Sequence, residues 1–231
     1  MAHEQVVRVH VVCVHGAGSA TGADAWPLQA GEPGWHFLAR APEGDHAARD
    51  AGRVLDLLRA AGGGHVVAHS YGANAALLAG LREPGLVRSL ALLEPACFDL
   101  DRRHPAGEVH VAAMSAAFDV ADDPSVSGRE FFERFASGMG FPPPPSWSEE
   151  LEANAARLRR LAPPWGVGLR PEDGLPVRTL VLTAPSSALY AETAASLADL
   201  GAVHLTVEGA GHRVQDDPRT TALLRDFWQV G

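Results

Sequence analysis

Short runs of β-branched and other apolar residues recur along the chain, separated by stretches whose apolar positions fall three and four apart. Six runs predict strands: Val6 to Val14, His36 to Arg40, His65 to His69, Val87 to Leu93, Val177 to Thr183 and Ala202 to Val207. Helices are predicted at His46 to Ala61, Tyr71 to Leu81, Ser187 to Leu200 and Asp217 to Trp228. Strands that alternate with amphipathic helices define the α/β class, here a mostly parallel six-stranded sheet flanked by helices on both faces. From about Leu100 to Arg170 the alternation stops, and Gly, Pro and aromatic residues crowd around Phe131, Phe132, Phe135, Phe141 and Pro142 to Pro145. That segment predicts a helical lid inserted above the sheet. Within it, Ser146 and Glu149 fit a capping box at the start of a helical run that Pro163 and Pro164 end. There is no internal repeat, and 231 residues suit one domain over 1–231 with 100–170 as an insertion within it.

Composition narrows the function classes. All 19 basic residues are arginine, so a Schiff-base lysine, a pyridoxal-phosphate lysine and a Walker-type phosphate loop are all excluded. The formal charge is -9 and the arginines are scattered, which argues against a nucleic-acid partner. No apolar run reaches the roughly 18 residues of a spanning helix, so no membrane partner is expected. The first residues enter a strand pattern without the form of a signal peptide, which predicts a cytoplasmic protein. Cys13 and Cys97 are too few for a disulfide framework and fall in or beside apolar runs, where a reduced thiol packs as a small apolar group. Cys13, His15 and nearby His10 follow from strand alternation, and no metal-binding spacing exists, so no metal is expected. Asp99 and Asp101, beside Arg102 and Arg103, read as a solvated loop. Gly62 to Gly64 precedes a strand instead of following one, unlike a dinucleotide loop, and no cofactor is expected.

Chemistry concentrates at His65 to Gly72, where a buried-type strand runs through Ser70 into a helix. A sharp turn there lifts the serine hydroxyl above the sheet, and Ala68 and Gly72, two before and two after, are small enough for strand and helix backbones to approach. Alone, the A-x-S-x-G pentapeptide reads equally well as a helix-capping serine. Two further segments add to it. The first strand ends in His15, Gly16, Ala17, Gly18, and Gly209, Ala210, Gly211, His212 lie between the last strand and the last helix.

In this order and context the three segments resemble the α/β-hydrolase family. The resemblance covers about residues 6 to 94 and 177 to 228, and the chain starts at what looks like that family's third strand, a minimal version of the fold. It implies Ser70 as nucleophile, His212 as general base, and an oxyanion hole formed by the backbone N–H groups of Ala17 and Tyr71. Trp26 falls where the family often has an aromatic, and it joins His15, Phe118, Phe131, Phe135 and Trp147 as candidate pocket residues. The sequence departs from the family at the third triad member. Where an Asp usually follows the penultimate strand, this chain has Ser186 in Ala184, Pro185, Ser186, Ser187. A serine cannot stabilise an imidazolium by charge, so the acid is sought at Glu94, at the end of the strand Val87 to Leu93. Glu94 also reads as a turn or pocket residue before Pro95, and Asp216 and Asp217 read as caps of the last helix.

The implied activity is hydrolysis of a small carboxylic ester or thioester through an acyl-enzyme, with an apolar or aromatic group favoured over a charged one. The lid aromatics serve equally as that segment's own core. Two alternatives stay open. The missing Asp is compatible with a decayed or non-hydrolytic member, such as a binding protein or a cofactor-free lyase or oxygenase, and an amide or peptide hydrolase would share every motif. The partner is a small-molecule substrate, and the sequence leaves the oligomeric state open.

Overall fold

The computed structural model describes residues 9–100 and 105–230. Six strands, β1 (Val11–Val14), β2 (Trp35–Phe37), β3 (Gly64–His69), β4 (Val87–Leu93), β5 (Thr179–Thr183) and β6 (Val203–Thr206), form one sheet. All pairings are parallel, and the order is β2-β1-β3-β4-β5-β6. Alternate side chains of the strands feed two separate cores. Val12, Val14, Val66, Ala68, Leu90, Leu92 and Val181 face one side, packed with α1 (Ala47–Ala61), α2 (Gly72–Arg82) and α6 (Ala188–Asp199). Val11, Cys13, Val67, Ala91, Leu93, Leu180 and Leu182 face the other, packed with α7 (Pro218–Gln229). Burial on both faces is why these strands read as unbroken apolar runs rather than as alternation.

Helix α1 buries Asp50, Ala51, Val54, Leu55 and Leu58, a stripe at three- and four-residue spacing, and ends at Gly62 in the left-handed region (φ 73°). Helix α2 is instead buried along nearly its whole length, from Gly72 to Gly80, and is built from small residues. A Cβ on Gly72 would lie 2.6 Å from the carbonyl oxygen of His15, so the start of α2 fits beside the end of β1 only because that position is glycine.

Between β4 and β5 come α3 (Pro105–Phe118), α4 (Gly128–Gly138) and α5 (Glu149–Leu158). They share a core of Ala117, Phe131, Ala155 and Leu158 that rests on Tyr71 and Ala17, and so lie over the C-terminal rim of the sheet. The cap of α5 is Ser148, whose side chain accepts from the N–H of Leu151, not Ser146. Asp99 also departs from the sequence reading. It is buried and accepts the N–H groups of Gly166, Val167 and Gly168 at 2.6, 2.9 and 3.1 Å, tying the far end of the insertion to the exit of β4. Asp101, Arg102 and Arg103 lie outside the described residues, as do Val6 to Arg8 of the first predicted strand. The second predicted strand is shifted, since the pairing with β1 runs over Trp35, His36 and Phe37. Among the described residues no helix is long and apolar enough to cross a membrane.

Candidate active site

The chain order reverses between β1 and β3: β2 lies on one side of β1, whereas β3 to β6 extend on the other. Loops leaving the C-terminal ends of strands at such a switch point diverge and open a crevice. Gly16, Ala17 and Gly18 leave β1 and Ser70 leaves β3, and all four line a cavity of about 530 Å³. His212 reaches the same cavity from the loop after β6.

Two residues other than glycine have positive φ among the described residues, Ser70 at 50° and Glu94 at 48°. An L-residue pays strain there, so a site must hold it in place. For Ser70 the constraint is the turn from β3 into α2: its N–H donates to Leu93 O (2.8 Å), and its own carbonyl accepts from Ala73 (3.1 Å) and Ala96 (3.1 Å). For Glu94 it is a complete set of partners. The residue is 0% exposed; Oε1 accepts the N–H of Ala184 at 2.6 Å, and Oε2 faces His212 Nδ1 at 3.2 Å. A buried carboxylate held this way fixes the imidazole with Nδ1 protonated and leaves Nε2 free to accept a proton. Ser186 is exposed and takes no part in this contact; the carboxylate from β4 spans to the start of the post-β5 loop instead.

Two residues to which the sequence reading gave no role in the site complete the surroundings of the imidazole. His69 donates its Nε2–H to the carbonyl of His212 at 2.9 Å, so the strand that carries Ser70 also pins the His212 backbone. Tyr190, in the first turn of α6, stacks on the His212 ring (centroids 4.7 Å apart, 24° between planes), and its hydroxyl hydrogen-bonds Ser70. Burial pushes this phenol up to about 12, against the lowering effect of its bond to Ser70, so it stays protonated at neutral pH. The sequence carried one signal for Tyr190, its place four residues past Ser186 in a chain with two tyrosines. His69 carried only its adjacency to Ser70.

At the two residues expected to form an oxyanion hole, neither Ala17 N–H nor Tyr71 N–H has an acceptor among the described residues, which leaves both donors available to a ligand. The Tyr71 side chain is turned away into the core and donates to Asp45 O (3.2 Å). The pocket candidates divide. Phe135 lines the cavity, together with Phe132 and Phe141. Phe131 is fully buried, and Phe118 and Trp147 pack in the same core of the inserted helices, so these three support the wall from behind. Trp26 does not reach the cavity; at 0% exposure it belongs to the core on the α7 face of the sheet. His15 is also buried, with Nδ1 donating to Gly16 O (2.9 Å), and shapes the loop from beneath. Ala25, Met139, Leu151, Asn154, Arg157 and Arg213 were not anticipated and do line the cavity. Among the described residues no group of three or more His, Cys, Asp or Glu is placed to hold a metal. Both thiols are buried and pushed well above their ordinary value by that burial, which leaves them unreactive.

The buried histidines give a pH prediction. Burial lowers His15 to about 4 and His69 to about 3, against an ordinary value of 6.5. Between those values and about 6.5 the unfolded chain binds protons that the folded chain does not, so stability is complete above about 6.5 and falls as pH drops. Each histidine contributes a slope of up to about 1.4 kcal/mol per pH unit in that window. Urea unfolding midpoints are expected to fall steadily from pH 6.5 to pH 4.5, and a flat profile would contradict neutral, buried rings at 15 and 69.

A parallel sheet that delivers a serine, a histidine and a carboxylate to one rim, at a switch point roofed by inserted helices, defines the class of α/β-hydrolase-fold proteins. The chain belongs to the α/β hydrolase family, whose model matches residues 11–222. Among solved structures it is similar to NosK from Streptomyces actuosus (22% identity, 96% of this chain and 98% of that one, TM-score 0.60). It is also similar to 2-hydroxy-6-oxo-6-phenylhexa-2,4-dienoate hydrolase from Rhodococcus sp. strain RHA1 (17%, 96% and 91%, TM-score 0.59). The enol-lactonase from Burkholderia xenovorans LB400 shares the fold at 20% identity (96% and 92%, TM-score 0.58). No curated protein sequence matches the chain.

Proposed function

We propose that the protein is a serine hydrolase of carboxylic esters or thioesters that works through an acyl-enzyme on Ser70. The observation that carries this reading is the 3.2 Å contact between buried Glu94 and His212 Nδ1, because it supplies the acid that the post-β5 loop lacks. His212 Nε2 takes the Ser70 proton as Oγ attacks the scissile carbonyl. The oxyanion that forms is met by the N–H groups of Ala17 and Tyr71. The imidazolium, stabilised by Glu94, then protonates the departing alkoxide or thiolate. Water, deprotonated by His212, attacks the acyl-serine ester and releases the carboxylic acid and free Ser70. The inserted helices act as a lid that screens these steps from bulk water, and their aromatic face favours a substrate with an apolar or aromatic body. Amide substrates would use the same groups, and profiling matched esters, thioesters and anilides separates the classes.

A fluorophosphonate probe is expected to label the protein with a single adduct mapped to Ser70 by mass spectrometry. A folded protein that stays unlabelled, or is labelled elsewhere, would overturn the mechanism.

Tyr190 is assigned a positioning role, because its ring fixes the imidazole plane and its hydroxyl fixes the serine rotamer. Tyr190→Phe keeps the stack and loses one hydrogen bond, so kcat should fall by about 10-fold with KM and melting temperature nearly unchanged. Steady-state kinetics beside thermal unfolding reads this, and an unaltered kcat would remove the hydroxyl from the account.

A further inference from the structure

Arg157, on α5, is a half-buried cation in the cavity wall. Its Nη1 donates to the Ala17 carbonyl at 2.7 Å, and its Nε and Nη2 donate to Asn154 Oδ1 at 3.1 and 2.6 Å. Three of the five guanidinium N–H groups are thereby engaged, all by uncharged oxygens, and two remain. Among the described residues Arg157 has no carboxylate within ion-pair distance, whereas Arg213, the other arginine of the cavity, is paired with Asp216. A second cation adds to the positive charge there. Arg40, which pairs with Asp45 and donates to Gly18 O at 2.7 Å, is close enough to Arg157 for the two charges to repel. The cavity that Arg157 lines is mostly apolar, with Phe132, Phe135, Met139 and Leu158 in its wall. A cation that has lost part of its hydration, beside a second cation and in the wall of a mostly apolar cavity, is offset most directly by an anion brought by the ligand.

We propose that the substrate carries a carboxylate on its apolar body and that Arg157 receives it. Proximity limits where that group lies. Arg157 holds the carbonyl of Ala17, the residue whose N–H serves the oxyanion, so the carboxylate falls within a few bonds of the scissile carbonyl. The sequence reading, which favoured an apolar over a charged group, is amended to an apolar body with one negative end. The inference rests on the ester-hydrolase reading of Ser70, and the test separates the two.

The test uses two matched pairs of esters on the full-length protein: p-nitrophenyl hemiglutarate against p-nitrophenyl valerate, and 4-acetoxybenzoate against 4-acetoxybenzamide. They place the charge on the acyl and the leaving side respectively. The anionic member of at least one pair is expected to show a kcat/KM about 10- to 100-fold higher. Arg157→Met should abolish that preference mainly through KM, and Arg157→Lys should retain part of it. Equal rates within both pairs, or an Arg157→Met variant that slows all four esters alike, would reduce Arg157 to a brace for the Ala17 loop and overturn the inference while hydrolysis stands. If none of the four is turned over, fluorophosphonate labelling of Ser70 decides the hydrolase reading and calorimetry decides the inference. Binding of 3-phenylpropionate to wild type, but not of 3-phenylpropanamide, and its loss in Arg157→Met, would uphold the carboxylate site. Equal binding of the amide, undiminished binding to Arg157→Met, or no binding of either ligand would overturn it.

Discussion

Ester turnover is expected to fall by about a millionfold in either Ser70→Ala or His212→Ala, and hardly further when both changes are combined. The reason is that the two side chains act as one unit. Without the hydroxyl there is nothing for the imidazole to deprotonate, and without the imidazole the hydroxyl meets the carbonyl as a neutral, poor nucleophile. What persists in all three variants is the loop geometry at Ala17 and Tyr71, which should keep a residual rate of about 10³–10⁴ over water. Single-turnover and steady-state rates on an activated ester, measured for both single variants and the double, check the prediction. A double variant slower than either single by the product of their effects would mean that the two residues work independently, contrary to the proposed mechanism. Ser70→Ala should leave the strained turn intact, since Ser70 is held by backbone bonds to Leu93, Ala73 and Ala96.

The second large effect is expected at Glu94. Glu94→Gln preserves shape and can still accept the Ala184 N–H, but it removes the charge that faces His212 Nδ1. The imidazolium formed in each half-reaction then lacks its counter-charge, and the amide's NH₂ can turn toward Nδ1 and favour the wrong tautomer. A loss of about 10⁴ in kcat follows, with KM little changed. Kinetics at neutral pH, with circular dichroism to show that the fold is kept, provide the measurement; full activity in this variant would exclude Glu94 as the group that orients His212. Glu94→Ala is a poorer probe, because it also leaves the Ala184 N–H without its acceptor in a buried setting.

The sheet was readable in the chain because its central strands are buried on both faces, so Val11–Val14, Gly64–His69 and Val87–Leu93 stand out as apolar runs between helical patterns. The edge strand β2 was misplaced because its three residues are only half-buried and its pairing, not its hydrophobicity, sets its limits. In the insertion, α3 is rich in alanine and buries only Gly107, Met114 and Ala117, so no strong stripe marks it. The turn of Ser70 and the loops of Ala17 and His212 were legible because each is a short motif fixed to the end of a strand. Glu94 could be named by elimination and by its strand end. Tyr190 and Arg157 could not, since their meaning comes from partners far away in the chain, and Trp26 misled because an aromatic after a glycine-rich loop can turn down into the core as easily as up into a pocket.

Because the carboxylate that faces the imidazole is anchored at the end of a central strand, the stretch Pro185–Ser187 carries no charge that the proposed reaction needs. That surface turn is therefore a tolerant place to graft a tag, a fluorophore-bearing cysteine or a short extension, provided that the N–H of Ala184 and the first turn of the following helix are left as they are.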